Sequence, residues 1–142
     1  MDAENVLAKV PLFSQMERND LRRLARAMVK RTCEPGELIL KEGDQAVAFY
    51  VITSGRVEVV KGLESANPDV LASLGPGEFF GEMALLEGYL RSASIRAAED
   101  TECLVMSRWD FLAELRRQPS MAVQMLPVLS RRLRQLEARP TE

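Results

Sequence analysis

The sequence predicts a single α+β domain in which helices flank an antiparallel β-roll. The chain has 142 residues, which is enough for one hydrophobic core but not comfortably for two. Apolar residues recur at helical spacing in residues 1–31 and again in residues 108–138. Between these segments, residues 32–107 contain short alternating or β-branched runs separated by glycine-containing turns. This pattern is typical of a rolled or closed antiparallel sheet.

The N-terminal segment is predicted to form two helices. An apolar cluster opens the first helix, and Pro11 interrupts it because proline lacks a backbone N–H. The second helix is expected to begin at Asn19 or Asp20, both of which are suited to cap a helix. Its apolar positions, spaced three to four residues apart, are Leu21, Leu24, Ala25 and Met28. Its basic residues, interpreted as a solvated face, are Arg22, Arg23, Arg26, Lys30 and Arg31.

The central segment is predicted to contain short strands joined by tight turns. The runs that alternate or are rich in β-branched and aromatic residues are 38–40, 49–53, 56–61, 70–74, 92–97 and 101–107. Ser54-Gly55 is predicted to form a two-residue hairpin turn between the second and third of these strands. Gly75, Pro76 and Gly77 predict a turn that leads into residues 79–97.

Helical signals return after the last strand. Arg108 is expected to begin a helix that Pro119 ends, with Ser120 as the cap of a final helix. Pro127 lies inside this final helix and is expected to kink or weaken it by roughly 3 kcal/mol. The leucines with coiled-coil spacing, over less than two heptads, are Leu126, Leu129, Leu133 and Leu136. Self-association through this helix and packing of the helix on its own roll both agree with the pattern.

Residue usage argues against an enzyme. Histidine is absent, which excludes Ser–His–Asp and Cys–His catalysis and histidine ligation of zinc or haem. Two cysteines cannot close a zinc site or hold an iron–sulfur cluster. We therefore predict no catalytic residues and no metal site. Cys33 and Cys103 are interpreted as buried strand thiols in a reducing cytoplasm.

Charge and hydropathy limit the expected partners. The net charge of −2 argues against general affinity for nucleic acid. No run of 18 apolar residues is present, and the N-terminus lacks the basic and apolar regions of a signal peptide. We expect a cytoplasmic protein that, by this chain alone, contacts neither membrane nor nucleic acid.

Residues 79–97, with the sequence FFGEMALLEGYLRSASIRA, combine groups that suit a nucleotide. Gly81 leads into a helical turn whose free N–H groups can hold an anion. Arg91, nine residues after Glu82, offers a fork of donors for phosphate, and the Glu82 carboxylate can accept from a sugar hydroxyl. Together they indicate a nucleotide bound without metal. The same residues also agree with an ordinary helix start, where a carboxylate complements the dipole, and with a solvated strand end.

This segment resembles the phosphate-binding cassette of the cyclic nucleotide-binding domain family. The family pattern reads G-E-(apolar)-A-L, a short turn, then R-(A/S/T)-A-(S/T), and residues 81–85 and 91–94 match it. Many members have proline before the arginine, where this chain has Leu90. The segments PGELILKEGD, FYVIT with SGRV, and GPGEFFGE also recur in the family. The resemblance covers about residues 5–137.

The resemblance implies one domain over residues 1–142, built on a double-stranded β-helix, or jelly-roll-like β-roll, with a C-terminal lid helix. It implies a cassette at residues 79–95. The residues that it implies for phosphate are the Arg91 side chain, the backbone N–H groups of Ala84 and Ser92, the Ser92 hydroxyl and the adjoining Ala93. The residues that it implies for ribose are Glu82, the backbone of Gly81 and the adjoining Met83. A purine would lie on apolar roll side chains under the C-terminal helix.

The resemblance implies that the chain binds a cyclic mononucleotide as a signal and needs no cofactor. Cyclic AMP is favoured over cyclic GMP, although Ser92 suits either purine. An effector protein, or a second copy through the C-terminal helix, is the implied partner. Two alternatives remain: an interaction module of the same fold that binds no ligand, and the sensor half of a catabolite-activator-type transcriptional regulator.

Overall fold

Two four-stranded antiparallel sheets form the predicted β-roll in the computed structural model, which describes residues 2–138. The strands are β1 (Val29–Cys33), β2 (Leu38–Leu40), β3 (Ala48–Ser54), β4 (Val57–Lys61), β5 (Asp69–Leu74), β6 (Phe79–Phe80), β7 (Ser94–Ala97) and β8 (Thr101–Ser107). The strand order is β1-β8-β3-β6 in the first sheet and β2-β7-β4-β5 in the second. The antiparallel β-roll flanked by helices is therefore confirmed.

The helices cover one side of the first sheet. They are α1 (Ala3–Lys9), α2 (Arg18–Arg26), α3 (Arg108–Arg117) and α4 (Ser120–Glu137), and two 3-10 helices span Pro11–Phe13 and Glu82–Leu85. The Ser107 hydroxyl accepts from the N–H of Asp110 and caps α3. Pro127 lies inside α4, which continues to Glu137. The N-terminal and C-terminal helices pack against each other on this side of the roll.

Strand β3 separates two hydrophobic cores. Successive side chains of a strand point to opposite faces, so Phe49 and Val51 join the core beneath the helices. Tyr50 and Ile52 join the core between the two sheets. Because β3 is buried on both faces, its sequence is almost continuously apolar. Strand β3 thus contributes both to the core beneath the helices and to the core of the roll.

The helix boundaries differ from the sequence prediction at the N-terminal side. Helix α2 begins at Arg18 after Glu17, so neither Asn19 nor Asp20 is its cap. Asp20 is buried and accepts a hydrogen bond of 2.8 Å from the side-chain amide of Gln124 in α4. The predicted helical segment 1–31 is too long, because Lys30 and Arg31 lie in β1 and pair with β8. Ser120 is the first residue of α4 rather than its cap.

The predicted hairpin at Ser54-Gly55 is wrong. Strands β3 and β4 on either side of it belong to different sheets, so the chain turns a corner of the roll there. Gly55 has a φ of 88°, a conformation that favours glycine. A Cβ at this position would also overlap the carbonyl oxygen of Asp100. The corner needs glycine for both reasons.

The cysteines are buried thiols, as predicted. Cys33 and Cys103 are both buried and free. Burial raises the pKa of the Cys33 thiol, and burial together with the neighbouring Cys33 raises the pKa of Cys103 to about 11. Within residues 2–138, no cluster of three or more metal-binding side chains is found. No helix in that range combines the length and apolar character needed to cross a membrane.

Candidate functional site

The glycine that opens the cassette has a conformation and surroundings that exclude a side chain. Strand β6 pairs with β3 and ends at Phe80, whose ring stacks on Tyr50 at 4.8 Å between ring centroids. Gly81 follows with a φ of 84° and begins the 3-10 helix Glu82–Leu85. A Cβ on Gly81 would lie 2.8 Å from the carbonyl oxygen of Ala48 and 3.0 Å from Nη1 of Arg91. Gly81 therefore lets the cassette backbone approach Arg91.

Backbone hydrogen bonds to the turn after β2 fix the position of Arg91. The Arg91 N–H donates to the carbonyl of Asp44 at 2.8 Å, and the Arg91 carbonyl accepts from the N–H of Gly43, also at 2.8 Å. On the next residue, the Ser92 carbonyl accepts from the Lys61 ammonium at 2.6 Å. The turn after β2 and strand β4 therefore hold the segment that precedes β7.

Glu42 completes the support on that side of the cassette. Its backbone N–H donates to the Ser94 hydroxyl at 2.9 Å. Its carboxylate accepts from the N–H of Gly62 at 3.0 Å and pairs with Lys61 at 3.3 Å. The Gly62 hydrogen bond, followed by the Lys61 ammonium, lowers the pKa of Glu42 from its ordinary value. Glu42 therefore stays ionised and orients Lys61 toward the Ser92 carbonyl.

The Arg91 guanidinium is buried, and the part of the chain that the structure describes gives it no counter-charge. Arg91 is 8% exposed, and its Nη2 donates to the carbonyl of Ala48 at 3.0 Å. Within residues 2–138, its buried Nε has no hydrogen-bond partner. Among residues 2–138, no carboxylate forms an ion pair with it. A buried charge is costly unless it is paired, so this arrangement suits a site that receives an anion.

A small cavity lies beside this guanidinium. Its volume is about 120 Å³, and its lining residues are Leu40, Val59, Phe80, Tyr89, Arg91, Ser92, Ala93 and Ile95. The lining is apolar on the sheet side and cationic at Arg91, and the Arg91 guanidinium carbon lies 5.7 Å from the centre of the Tyr89 ring. Such a cavity can receive a ligand with an anionic group and an apolar or aromatic group.

The two clefts of about 500 Å³ suit an anion less well. A cleft of about 520 Å³ at another part of the roll is acidic, because its lining includes Glu34, Glu37, Asp100 and Glu102. A cleft of about 510 Å³ beside α2 contains arginines. There, Arg22 pairs with Glu4 and Arg23 with Glu114, and both arginine side chains are more than 40% exposed. Their charges are compensated or solvated, unlike that of Arg91.

The structure brings together only part of the predicted site. Arg91, Ser92 and Ala93 line the cavity, and Gly81 lies next to Arg91. Ala84 is buried and its N–H donates to the Gly81 carbonyl at 3.0 Å, so this donor is engaged within the 3-10 turn. The expectation that the turn leaves free N–H groups at its start therefore does not hold for Ala84.

The predicted ribose residues lie beside the cavity rather than in its lining. Glu82 and Met83 are half-buried at the start of the 3-10 helix. None of the ion pairs within residues 2–138 involves Glu82, so its carboxylate is not committed to a cation. The Met83 sulfur accepts from Nη1 of Arg132 at 3.2 Å, which brings α4 against the cassette.

The sequence predicted apolar roll side chains for the purine but not which residues they are, and it gave no sign of one polar contact of the cassette. The wall residues Leu40, Val59 and Ile95 meet because β7 lies between β2 and β4, a pairing that no local pattern specifies. Arg108, predicted only as a helix start, donates from Nε to the carbonyl of Ala84 at 2.7 Å. Its position next to the final strand gave no signal for this long-range contact.

Known proteins are similar to this chain in both sequence and fold. The family model of the cyclic nucleotide-binding domain matches residues 30–118. The "Cyclic AMP receptor protein" of Thermus thermophilus is 39% identical over 127 residues, which cover 89% of this chain and 59% of that protein. The "cAMP-dependent protein kinase regulatory subunit" of Yarrowia lipolytica is 37% identical over 94 residues, which cover 66% of this chain and 24% of that protein.

A solved structure agrees over nearly the whole chain. The N-terminal domain of a transcriptional regulator from Streptomyces coelicolor superposes with a TM-score of 0.84 at 28% identity, covering 96% of this chain and 99% of that one. This chain spans less than two thirds of the curated relatives named above. The match of the family model to more than half of the chain, together with the shared roll, shows that the chain belongs to the cyclic nucleotide-binding domain family.

Proposed function

We propose that the chain binds a cyclic mononucleotide as a signal and does no chemistry on it. The observation that carries this proposal is the buried Arg91 guanidinium, which lines the cavity, lacks a carboxylate partner within residues 2–138 and has an unpaired Nε. A cyclic phosphate supplies the missing anion and the acceptors for a bidentate contact. The exposed hydroxyl of Ser92, next to Arg91, adds a further donor at the same place.

Cyclic AMP is the proposed ligand, with cyclic GMP as the less favoured one. The names of two similar proteins refer to cyclic AMP, a receptor in one and a kinase regulatory subunit in the other. The apolar wall of the cavity suits either purine, and no side chain in its lining distinguishes adenine from guanine. The preference rests on the higher identity of those two relatives, 39% and 37%, because similar proteins named as cGMP-dependent kinases are 32–35% identical. Parallel titration with both nucleotides tests it.

Binding requires a local rearrangement of the cassette. The cavity of about 120 Å³ is smaller than ordinary ligand pockets, which measure about 300–1,000 Å³, so part of the nucleotide must extend beyond it. The Ala84 N–H must turn from the Gly81 carbonyl toward the phosphate before it can donate there. Glu82 and Met83 belong to the same 3-10 helix, so this movement also brings the predicted ribose residues toward the ligand.

Helix α4 is the proposed output of binding. Arg132 of α4 contacts Met83 of the cassette, so a movement of the 3-10 helix changes what α4 meets. The ligand shifts the population of α4 arrangements only to the extent that it binds one of them more tightly. An effector protein or a second copy of the chain then reads the position of α4.

Replacing Glu82 with alanine is expected to weaken binding of cyclic AMP by about ten- to a hundredfold, the value of roughly one hydrogen bond to a charged acceptor. The loss arises because the carboxylate accepts from the ribose 2′-hydroxyl. Calorimetric titration of parent and variant with cyclic AMP and with its 2′-deoxy analogue measures it. The analogue should bind both proteins alike. An equal loss for the analogue contradicts the role assigned to Glu82.

The second copy, if it binds, is proposed to contact the exposed leucines of α4. Leu126, Leu133 and Leu136 are each about 60% exposed and share the coiled-coil spacing, whereas Leu129 packs against the helical core. Sedimentation velocity at micromolar concentration is expected to show a dimer that Leu133→Lys dissociates. A monomer in the parent protein contradicts self-association through this helix.

A further inference from the structure

Arg108 connects the start of α3 to two other segments, the cassette and the residues that precede β3. Its Nε donates to the carbonyl of Ala84 at 2.7 Å, and its Nη2 donates to the carbonyl of Ala46 at 2.8 Å. Its own backbone N–H donates to the carbonyl of Val47 at 2.9 Å. One residue at the first position of α3 thus contacts the cassette helix and the chain just before β3.

The guanidinium has little freedom to move within these contacts. Its planar fork satisfies both carbonyls only in one orientation, since the donors of a guanidinium are fixed relative to each other. A Cβ on Gly88 would lie 3.1 Å from Nη2 of Arg108, so the cassette turn closes one side of the group. The ring of Trp109 lies 5.8 Å from the guanidinium carbon. A shift of the Ala84 carbonyl must therefore move Arg108 or break one of its hydrogen bonds.

Ala84 connects this contact to the anion site. Its N–H is a proposed phosphate donor and at present bonds to the Gly81 carbonyl, while its carbonyl receives Arg108. Both groups belong to one residue of the 3-10 helix Glu82–Leu85, so a movement of that helix displaces both. Leu85 and Phe111 also connect the cassette to α3 through the apolar core, but apolar contacts are non-directional.

Resting on the proposed function, we propose that Arg108 is a positioning residue that couples the cassette to α3. Capture of the phosphate by the Ala84 N–H moves the Ala84 carbonyl, and Arg108 passes this movement to the first turn of α3. Removal of the fork should therefore separate two properties that occur together in the parent chain. The cassette should still bind the nucleotide, while α3 should cease to respond to it.

Amide hydrogen exchange of the refolded full chain, with and without saturating cyclic AMP, tests this coupling. Arg108→Met removes the donors and keeps an apolar stem, and Arg108→Lys keeps a charge without the fork. Arg117→Met is the matched control, because it removes a 68%-exposed arginine from the same helix, one that pairs with Glu114. Calorimetry on each protein measures nucleotide affinity independently.

In the parent and in Arg117→Met, cyclic AMP should change exchange in residues 108–117 by at least about fivefold, the low end of ordinary coupling. In both Arg108 variants this change should fall below about twofold, while residues 79–95 remain protected by the nucleotide. A full response of α3 in either Arg108 variant contradicts the coupling role, as does loss of all binding in a folded Arg108→Lys. If Arg108→Met does not fold, the response of α3 in Arg108→Lys alone tests the coupling role.

Failure of the proposed function gives a different result. A parent chain that shows neither heat nor protection of residues 79–95 with either cyclic nucleotide overturns the binding function, and the coupling role with it. A parent chain that binds and responds, with Arg108 variants that respond equally, overturns the coupling role alone.

Discussion

Arg91→Met is expected to reduce affinity for cyclic AMP by about thirtyfold or more, because removal of one partner of a buried charge pair costs about 2–5 kcal/mol. The guanidinium is the cationic group in the lining of the cavity, so no neighbouring side chain there replaces it. Calorimetric titration of parent and variant measures the loss. A variant that binds as tightly as the parent shows that the phosphate site lies elsewhere.

The same substitution should change the free energy of unfolding by less than about 1 kcal/mol, because two effects oppose each other. Methionine removes a buried charge that has an unpaired Nε, which favours folding. It also deprives the Ala48 carbonyl of its bond from Arg91. Urea unfolding measures the balance.

Arg96→Met provides the matched control. Arg96 lies on β7, five residues after Arg91, and pairs with Glu58 at 3.0 Å with about a third of its side chain exposed. Its loss should leave cyclic AMP affinity unchanged and have a small effect on stability, since half-exposed ion pairs contribute little. If Arg91→Met instead destabilises the domain by more than about 3 kcal/mol, Arg91 is chiefly a structural residue.

Gly81→Ala is expected to destabilise the domain by about 2–5 kcal/mol, the sum of left-handed backbone strain and overpacking. Gly36→Ala separates these two contributions. Gly36 has the same φ of 84°, but a Cβ there would meet no atom within 4 Å, whereas on Gly81 it would meet the Ala48 carbonyl. Gly36→Ala should therefore cost only about 1–2 kcal/mol. Urea unfolding of both variants gives the difference.

Gly81→Ala should also reduce the affinity for cyclic AMP by about tenfold or more, the value of one charge-assisted hydrogen bond. The reason is that the added Cβ would lie 3.0 Å from Nη1 of Arg91 and displace the guanidinium. Gly36→Ala should bind like the parent. Equal stability losses in the two variants would show that close packing around Gly81 is absent. Unchanged affinity in a folded Gly81→Ala would show that Arg91 does not depend on it.

Strand prediction succeeded where the sequence carries a period-two or β-branched signal and failed at an edge of the roll. Strand β8 begins and ends at the predicted residues, Thr101 and Ser107, because its burial alternates along much of its length. Strand β1 was missed because most of its residues, Val29–Cys33, are polar and at least partly exposed. Val29 itself is 63% exposed, so no apolar stripe marks the strand. Pairing with β8 alone makes it a strand.

The candidate site was likewise predicted only in part. The cassette pattern located Arg91, Ser92 and Ala93, which line the cavity, because they are contiguous in sequence. The apolar wall and Arg108 depend on which segments meet in space, and spacing along the chain does not encode this. The engaged Ala84 N–H was also beyond prediction, since the local pattern of the turn does not reveal where its hydrogen bonds go.

Calorimetric titration of the chain, unfolded and refolded to remove any carried ligand, tests the central claim most directly. Cyclic AMP and cyclic GMP are titrated separately, with 5′-AMP as a control that lacks the cyclic phosphate. The proposal predicts one site per chain with a dissociation constant at or below about 1 μM, equivalent to about −8 kcal/mol, for at least one cyclic nucleotide. Absence of heat with both cyclic nucleotides, from a protein shown to be folded, would contradict a nucleotide-binding role for the buried Arg91.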